Sequence, residues 1–304
     1  MFPNLPGENM KIMITGGSGL IGQYLNIELS KKHDIITLFN KHEGNCKEFN
    51  FSKADITDHR RVSEIFKSFG PKLVVHTAGV SSPAMADKLL PERVEDINVN
   101  ATRHLAELCN QYKTKMIYLS TDLIYGSDTG SFHKEDADVE PISLYAKSKL
   151  GGEKVIRKTY FNYLILRQAI VYGYGLNDST NFFDESIEKL KEGKPVNLFT
   201  DQHRTPVEIE DTARIIAELC ESDVKGEIIN LGGKERLNRY ELFEIAAEEF
   251  GLNKDLLKKT TMDDEELKYK ASDVSMNTDK LRDLGITPKD TRQAMKELKD
   301  KFMN

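Results

Sequence analysis

Thr15-Gly16-Gly17-Ser18-Gly19-Leu20-Ile21-Gly22 is the stretch that decides the fold of this chain. It follows a short apolar run, residues 12–14, and precedes a helix-like segment, residues 23–30. A strand, a glycine turn and a helix in this order are typical of a phosphate-binding turn. Glycines let the backbone approach a pyrophosphate, and the N–H groups at the helix start point at the anion. We therefore predict a nucleotide site whose contacts are Gly16, Ser18, Gly19, Leu20, Ile21 and Gly22.

Composition and charge narrow the class of protein. The 304 residues are 39% hydrophobic and 30% charged, as in a globular protein with an ample core. The net charge of −6 argues against nucleic acid or a membrane surface as partner. Residues 1–10 lack a basic region followed by an apolar core, so we interpret them as a short polar tail. We expect a cytoplasmic protein that binds no metal and keeps Cys46, Cys109 and Cys220 reduced.

Short apolar runs alternate with amphipathic stretches over the first 170 residues. The runs predicted as strands are 12–14, 35–39, 73–76, 116–119 and 163–166. The stretches predicted as helices are 20–30, 59–69, 91–112 and 144–159. This alternation predicts an α/β fold, a doubly wound parallel sheet of the Rossmann type. Ligands of such sheets bind beyond the carboxyl ends of the strands, so the residues that follow each strand matter most.

The pattern changes after Gly173. The helices predicted there are 182–192, 209–221, 239–250 and 288–301, and the short runs are 196–199 and 227–231. Residues 251–278 are polar and are predicted to be rich in loops. We predict an NAD(P)-binding domain at 11–173 and a smaller α/β substrate-binding lobe at 174–304, partly interleaved with the first. Because no Pro/Gly-rich linker separates them, the two parts are expected to pack around one cleft.

The end of the second predicted strand bears on which nicotinamide nucleotide binds. An Asp or Glu at that end would accept hydrogen bonds from the ribose 2′-hydroxyl of NAD. The chain has Asn40 and Lys41 there instead. The ammonium of Lys41 can face the 2′-phosphate of NADP, or it can be a solvated surface group. The pattern therefore favours NADP over NAD.

Two further strand ends are predicted to complete the cofactor site. Asp55 and Ile56 follow the third strand, where a carboxylate and an apolar side chain can flank an adenine. Ala78 and Gly79 follow the fourth strand, where small residues let the backbone lie against a cofactor or simply form a tight turn. Asp58 is predicted to cap the next helix, because a carboxylate there satisfies free N–H groups.

Tyr145 and Lys149 carry the strongest catalytic signal. They are four residues apart, so on a helix they share a face. A phenol normally titrates at about 10, and a nearby ammonium lowers that pKa toward proton transfer at neutral pH. The lysine can also hydrogen-bond a nicotinamide ribose. Thr121 closes the fifth predicted strand, where its hydroxyl can bind a substrate carbonyl oxygen or cap the strand end.

The glycine turn, Thr121, Tyr145 and Lys149 resemble the extended short-chain dehydrogenase/reductase family. Four further stretches, 120–122, 141–153, 204–206 and 277–281, are similar to its dTDP-4-dehydrorhamnose reductase branch. The resemblance implies a Rossmann-type domain, a small sugar-nucleotide lobe and NAD(P)H-dependent reduction of a 4-keto sugar nucleotide. It also implies that Asn98 belongs to the cofactor site and helps to position the catalytic residues.

Three side chains are candidates for substrate binding beside Thr121. Arg204 can meet a diphosphate, because a guanidinium binds such oxygens bidentately; the alternative is an ion pair with the acidic residues after Pro206. Ser81 and Ser82 can touch the sugar, or they can form a turn before the next residue, a proline. Arg167, at the end of the sixth strand, is interpreted as structural.

Departures from the family pattern leave other functions open. Related 4,6-dehydratases have a glutamate after Thr-Asp, and Leu123 stands there, which disfavours dehydration. Residues 270–272 occupy the place of an Arg-Pro pair of the branch, so the substrate is less secure than the reaction type. A sugar-nucleotide 4-epimerase and a non-catalytic NADP-binding subunit, resembling the methionine adenosyltransferase β subunit, are the rival functions. A homodimer is a further expectation.

Overall fold

A 7-stranded parallel sheet forms the centre of the computed structural model of this protein. The structure describes residues 9–126, 130–177 and 179–302; residues 1–8, most of the predicted polar tail, lie outside that range. The strands, in chain order, are β1 Lys11–Thr15, β2 Asp34–Phe39, β3 Phe51–Lys53, β4 Leu73–His76, β5 Lys115–Thr121, β6 Tyr163–Gln168, β7 Val171–Tyr172, β8 Val196–Phe199, β9 His203–Arg204, β10 Val207–Glu208, β11 Glu227–Leu231, β12 Leu237–Asn238 and β13 Leu257–Thr260.

Helices connect most of these strands. In chain order they are α1 Leu20–Ser30, α2 His59–Phe69, α3 Pro83–Ala86, α4 Pro91–Glu95, α5 Ala101–Tyr112, α6 Leu144–Thr159, α7 Phe182–Lys191, α8 Ile209–Glu221, α9 Arg239–Phe250, α10 Asp279–Asp283 and α11 Thr291–Phe302. Short 3₁₀ turns lie at Cys46–Glu48, Asp122–Ile124 and Lys254–Leu256, and a π-helical turn lies at Asp96–Asn100.

The strand order of the central sheet is β3-β2-β1-β4-β5-β6-β11, and all of its pairs are parallel. This arrangement confirms the predicted doubly wound, Rossmann-type α/β fold. The order reverses between β1 and β4, and the crevice beyond their carboxyl ends is where such sheets bind ligands. Thr15 and His76 are register partners at that reversal, so the glycine turn after Thr15 opens into the crevice.

Side chains alternate between two cores on the two faces of the sheet. Ile12 and Ile14 face one core, which α1 and α8 cover. Met13, between them, faces the other core, which α2 and α5 cover. A third cluster lies between α7, α9 and α11, with Phe243 fully buried at its centre. The third cluster is therefore the core of a smaller C-terminal lobe.

The two halves of the chain are interleaved in the central sheet. Strand β11 pairs with β6, and α8 packs on α1. Both β11 and α8 follow residue 173, whereas β6 and α1 precede it. This pairing shows that part of the C-terminal half completes the central sheet. The division of the chain at residue 173 stays a prediction. Periodicity predicted β11 as a strand, but its partner depends on contacts between residues far apart in sequence.

Three predicted helices differ in detail from the observed ones, and the one predicted at 182–192 ends at Lys191. The predicted helix 91–112 is divided into α4 and α5 by the π-helical turn Asp96–Asn100. The last predicted helix begins at Thr291 rather than at residue 288. There the carboxylate of Asp290 accepts hydrogen bonds from the backbone N–H groups of Arg292 and Gln293, at 3.0 and 3.3 Å. The cap sets the start of that helix, because it satisfies N–H groups of the first turn.

Candidate active site

The glycine turn is built so closely that side chains would not fit. Gly16 has a φ of +71°, and a Cβ there would lie 2.7 Å from the backbone nitrogen of Ala78. A Cβ on Gly22 would lie 2.1 Å from the carbonyl oxygen of Gly16. Gly19 is the N-cap of α1, and no side chain caps that helix start. The remaining predicted contacts lie between these glycines or in the first turn of α1: Ser18, Leu20 and Ile21. The turn thus fits a pyrophosphate, because its helix N–H groups point into the crevice without a side-chain acceptor.

Gln23 holds this turn against two neighbouring loops, a role that was not predicted from the sequence. Its amide nitrogen donates to the carbonyl of Leu176 over 2.9 Å. Its amide oxygen accepts from the backbone nitrogen of Asn45 at 3.0 Å and from the side chain of Asn177 at 2.9 Å. The loops after β2 and β7 are thereby held against the start of α1.

The predicted adenosine side of the site lies at the ends of β2 and β3. The Asn40 amide donates to the Asp55 carboxylate over 3.0 Å, and the same carboxylate accepts from the backbone and hydroxyl of Thr57. Ile56 is half-buried beside them, while Lys41 is exposed. Asn40 and Asp55 therefore form one polar edge, and Lys41 leaves a positive charge next to it. Asp58 caps α2 as predicted, accepting from a backbone nitrogen at 2.9 Å.

Asn98 fastens the segment after β4 to helix α6. It lies in the turn Asp96–Asn100, and its oxygen accepts from the Val80 backbone nitrogen at 2.8 Å. Its nitrogen donates to the Val80 carbonyl at 3.1 Å and to the Ser148 hydroxyl at 2.8 Å. A Cβ on Gly79 would lie 2.7 Å from the Asn98 oxygen, so the glycine permits this contact. These bonds make Asn98 a positioning residue for the strand end and for the helix that contains Tyr145 and Lys149.

Ser81 and Ser82 follow this segment and contact α3. The Ser82 hydroxyl accepts from the backbone nitrogen of Met85 at 3.2 Å and so caps α3. The Ser81 hydroxyl donates toward the sulfur of Met85 at 3.4 Å. Both serines therefore have the turn-forming contacts that were the alternative to sugar binding, and sugar contact by either stays a prediction.

Thr121, Tyr145 and Lys149 come together at the carboxyl edge of the sheet. Thr121 ends β5, and helix α6 begins one residue before Tyr145, capped by the Ser143 hydroxyl. The Thr121 hydroxyl lies close enough to the phenol of Tyr145 to lower its pKa, and it donates to the Asp122 carboxylate over 3.2 Å. The three residues are 5%, 8% and 6% exposed, so they meet in a nearly dry site where charges interact strongly.

Burial dominates the acid–base properties of this site. It raises the pKa of Tyr145 to about 12; the charge of Asp122 raises it too, and the Thr121 hydroxyl and the charge of Arg204 lower it. Burial lowers the pKa of Lys149 to about 7, and the charge of Glu153 opposes that shift. The raised phenol pKa differs from the sequence expectation, because desolvation of the phenolate dominates and the positive charge that opposes it is that of Arg204 rather than that of Lys149.

Arg204 reaches from the C-terminal lobe to the edge of the sheet. Its guanidinium donates to the Asp122 carboxylate over 2.8 Å, and the two side chains are 13% and 3% exposed. The ion pair considered as the alternative for Arg204 thus exists, but its partner follows Thr121 rather than Pro206. Sequence reasoning missed Asp122, although it directly follows a predicted catalytic residue.

Arg204 also lines a small, otherwise mostly apolar cavity, and Arg239 is its neighbour there. The Arg239 guanidinium lies over the rings of Phe182 and Phe199, at 4.3 and 5.5 Å. Burial, and then the charge of Arg204, lower the pKa of Arg239 to about 10. Within the described residues, the Nε atoms of both arginines and the amide oxygen of Gln202 are buried without a hydrogen-bond partner. Arg204 is paired with Asp122, but among the described residues no carboxylate pairs with Arg239, so the cavity has an excess positive charge that attracts an anion.

Arg239 and Gln202 were not predicted from the sequence as site residues. Arg239 is the first residue of α9, and Gln202 lies in the turn before β9. Nothing in their local sequence indicates that they meet Arg204. The only signal is that a basic residue stands at the start of a predicted helix, where the helix dipole disfavours a cation.

A buried ion pair supports helix α6 from behind. Arg167 donates to both carboxylate oxygens of Glu153, at 3.2 and 3.0 Å, and both side chains are less than 5% exposed. It also donates to the Tyr125 hydroxyl at 2.9 Å, which in turn donates to the Asn230 amide oxygen at 2.7 Å. This network ties α6 to β6 and β11, in keeping with the structural interpretation of Arg167.

Membrane-spanning helices and clusters of metal-ligating side chains are absent from the described part of the chain. Across residues 9–126, 130–177 and 179–302, no helix is long and apolar enough to span a bilayer. The same residues contain no group of three or more His, Cys, Asp or Glu side chains placed to hold a metal ion. Cys46, Cys109 and Cys220 are free and buried.

Comparison with known proteins confirms the resemblance. The profile of the family described as RmlD substrate binding domain matches residues 10–304. A probable low-salt glycan biosynthesis reductase of Haloferax volcanii is 30% identical over 71% of this chain and 73% of that protein. The methionine adenosyltransferase 2 subunit beta of Pongo abelii is 25% identical over 93% of this chain and 84% of that protein.

A solved structure shares the fold. The crystal structure of a dTDP-4-dehydrorhamnose reductase from Bacillus anthracis, in complex with NADP, superposes with a TM-score of 0.84. The match covers 96% of this chain and 99% of that one at 20% sequence identity. The same backbone architecture therefore extends over both the central sheet and the C-terminal lobe.

Proposed function

The chain belongs to the RmlD substrate binding domain family, and on that premise we propose that it is an NAD(P)H-dependent reductase of a 4-keto sugar nucleotide, of the dTDP-4-dehydrorhamnose reductase type. One observation carries the proposal: Thr121 and Tyr145 meet beside the glycine turn, and the ion pair from Asp122 to Arg204 links them to the cavity with two arginines. A redox site and an anion site thus share one cleft. The predicted domain at 11–173 would hold the cofactor and the lobe at 174–304 the nucleotide of the substrate.

The fit of a nicotinamide nucleotide rests on the glycine turn. The tight turn that only glycine permits at positions 16 and 22, and the uncapped N–H groups of α1, support a bound pyrophosphate. The exposed Lys41 after β2 favours NADP over NAD. When bound, the reduced nicotinamide supplies a hydride and leaves as the oxidised form.

The residues of the chain supply the geometry and the proton. Thr121 orients the sugar carbonyl, since its hydroxyl lies beside the phenol of Tyr145. Tyr145 transfers its hydroxyl proton to the carbonyl oxygen as the carbonyl carbon gains the hydride, so that C=O becomes CH–OH. The high phenol pKa keeps Tyr145 protonated at neutral pH, as an acid must be. Lys149 would bind the ribose hydroxyls of the cofactor, and the charge of Arg204 favours the phenolate that remains.

The two arginines account for the nucleotide part of the substrate. Arg204 and Arg239 would bind the diphosphate, whose negative charge offsets the unpaired guanidinium of Arg239. The unpartnered oxygen of Gln202 can accept from a sugar or base hydrogen. An uncharged ketone would leave the guanidinium of Arg239 without a counter-charge, so the cavity favours an anionic substrate.

Leu123 argues against dehydration by the same site. It is half-buried and packs with the apolar cluster that includes Tyr145. A leucine cannot remove a proton from a sugar carbon, which a 4,6-elimination requires. The proposal is therefore reduction at C4 without elimination.

Oxidation of NADPH and NADH, measured by absorbance against a panel of 4-keto sugar nucleotides, tests the proposed reduction. Stoichiometric loss of reduced cofactor with one member of the panel is expected. Conversion of a sugar nucleotide without net cofactor consumption would instead identify a 4-epimerase. No turnover with any member, despite tight cofactor binding, would overturn the reductase proposal.

A regulatory subunit is the second candidate function. It is favoured by the relative named methionine adenosyltransferase 2 subunit beta, to which 93% of this chain aligns. If this chain is such a subunit, it will co-purify with a methionine adenosyltransferase and change that enzyme's kinetics, and Tyr145→Phe will not alter the effect. A complex that forms only with an intact Tyr145, together with turnover of a keto sugar, would exclude a purely regulatory role.

A further inference from the structure

We propose that Tyr118 is a positioning residue for Lys149, whose ammonium is held on the face of the Tyr118 ring at the floor of the site. The inference rests on the proposed function in one respect, the role of Lys149 in binding the cofactor. Tyr118 is a core residue of β5. Neither the glycine turn nor the spacing of Tyr145 and Lys149 suggests that it takes part in that role.

The contact has the geometry of a cation–π interaction. The Lys149 nitrogen lies 4.2 Å from the centroid of the Tyr118 ring, within the range where a ring attracts an ammonium. Tyr118 is 1% exposed, so the interaction is desolvated and therefore strong. A Cβ on Gly152 would lie 2.3 Å from the Tyr118 hydroxyl, and the glycine is what lets α6 settle onto this ring.

The Tyr118 ring is the group in direct contact with the Lys149 ammonium. Among the residues that the structure describes, no carboxylate lies within 4.0 Å of the Lys149 nitrogen. The closest acidic residue along α6, Glu153, is engaged by Arg167 through two hydrogen bonds. The charge of Glu153 still favours the ammonium, but only from a distance.

The other groups packed around Lys149 do not compete for it. His76 of β4 is fully buried, and its ring nitrogens are hydrogen-bonded to Thr15 and Thr102 at 2.7 and 3.0 Å. Burial, and then the charge of Lys149, lower the pKa of His76 to about 3, so that ring is neutral. Tyr145, on the same helix face, is protonated at neutral pH. The Tyr118 ring, in direct contact, and the more distant charge of Glu153 thus offset the cost of burying this cation.

Three variants separate the ring from the hydroxyl and from general packing. Tyr118→Phe keeps the aromatic face, whereas Tyr118→Leu and Tyr118→Met remove it and keep an apolar side chain. Tyr160→Leu is the matched control, because Tyr160 is 5% exposed and lies in the same core cluster at the far end of α6. Thermal melting of each variant establishes that it folds. If Tyr118→Leu does not fold, Tyr118→Met is the ring-less variant that is measured.

The first readout is the titration of Lys149 itself, followed by NMR on protein labelled with ¹³C at the lysine ε carbons. The signal is assigned by its loss in Lys149→Arg. Removing the ring is expected to shift the midpoint of this titration down by about one pH unit, a roughly tenfold weaker hold on the proton. Tyr118→Phe and Tyr160→Leu should leave it unchanged. An unchanged midpoint in both ring-less variants, or an equal shift in Tyr160→Leu, would overturn the proposal.

The second readout is NADPH affinity as a function of pH, measured by fluorescence. Affinity is expected to fall as pH rises through the Lys149 midpoint, since the ammonium is then lost, and to fall about one unit earlier in the ring-less variants. If the NMR midpoint shifts but affinity shows no such dependence, the positioning by Tyr118 stands and the proposed contact of Lys149 with the cofactor fails. The two proposals can therefore be told apart.

Discussion

The guanidinium of Arg204 donates to the carboxylate of Asp122 over 2.8 Å, and this ion pair joins the C-terminal lobe to the catalytic edge of the sheet. Asp122 directly follows Thr121, while Arg204 also faces the cavity that it shares with Arg239. Both charges act on the phenol of Tyr145, in opposite directions. An anion bound in the cavity therefore changes the balance of charge around the proton donor.

Asp122→Asn should move the pH dependence of turnover. The carboxylate raises the pKa of Tyr145, so its loss lowers that pKa. Since Tyr145 acts as an acid, activity is present below its pKa and is lost as pH rises through it. The high-pH limb of kcat is expected to move to lower pH. Asp273→Asn, which removes the partner of Arg236 in the C-terminal lobe, is the control. A limb that stays in place or moves up would contradict the assigned role of Asp122.

Tyr145→Phe should lower kcat by about 10²–10⁴-fold, the usual contribution of a positioned general acid. The ring fills the same space, so NADPH affinity is expected to change little. Stopped-flow measurement of NADPH oxidation and a fluorescence titration give the two values. Tyr240→Phe, on the half-exposed start of α9, should behave as wild type. Full turnover without the Tyr145 hydroxyl would remove it from the mechanism.

Arg239→Met should weaken binding of the sugar nucleotide roughly 10- to 100-fold, because a hydrogen bond between charged groups is lost. The flexible methionine side chain still packs against Phe182, so kcat at saturation is expected to change much less than KM. Arg236→Met is the matched control, since Arg236 is already paired with Asp273 outside the cavity. Equal KM values for the two variants would show that Arg239 does not bind the substrate.

Lys41→Glu should reverse the preference between cofactors. A carboxylate at the end of β2 repels a 2′-phosphate and accepts from a 2′-hydroxyl. The ratio of NADP to NAD affinity is expected to fall by about tenfold or more, a loss of about 1.4 kcal/mol in discrimination. Lys72→Glu is the control, because it makes the same charge change at the opposite, amino-terminal end of the sheet. If both variants change the ratio alike, Lys41 makes no specific contact.

Glu153→Gln should destabilise the fold by about 3–5 kcal/mol, because it leaves the buried guanidinium of Arg167 without a counter-charge. Arg167→Met alone should cost a similar amount, and the double variant less than the sum of the two. Urea unfolding followed by circular dichroism measures all three. Glu28→Gln, at a surface pair with Lys31, should produce no measurable change. Additive losses in the double variant would mean that the two side chains do not act as a pair.

Local patterns accounted for most of the fold. Alternating strands and helices predicted the doubly wound sheet, and helices such as α1 and α2 begin and end where periodicity and caps placed them. The place of β11 beside β6 was not predictable in this way. A parallel strand at an edge can add to any free partner, and only packing of α8 against α1 decides which.

The candidate site shows the same division. The glycine turn and the Tyr145–Lys149 spacing were predictable because phosphate binding and a shared helix face depend on residues close in sequence. Asn98 was found only through the resemblance. The meeting of Arg204 with Asp122 and Arg239 was invisible, since these residues come from three separate strands and helices.

The sequence by itself determined the order of strands and helices, the nucleotide turn and the residue types of the proton-transfer site, because short-range geometry dictates them. Only the tertiary structure decided the electrostatics: burial raises the pKa of Tyr145, lowers that of Lys149 and places the ammonium on the Tyr118 ring. Desolvation depends on everything that surrounds a group, and those surroundings are assembled from distant parts of the chain.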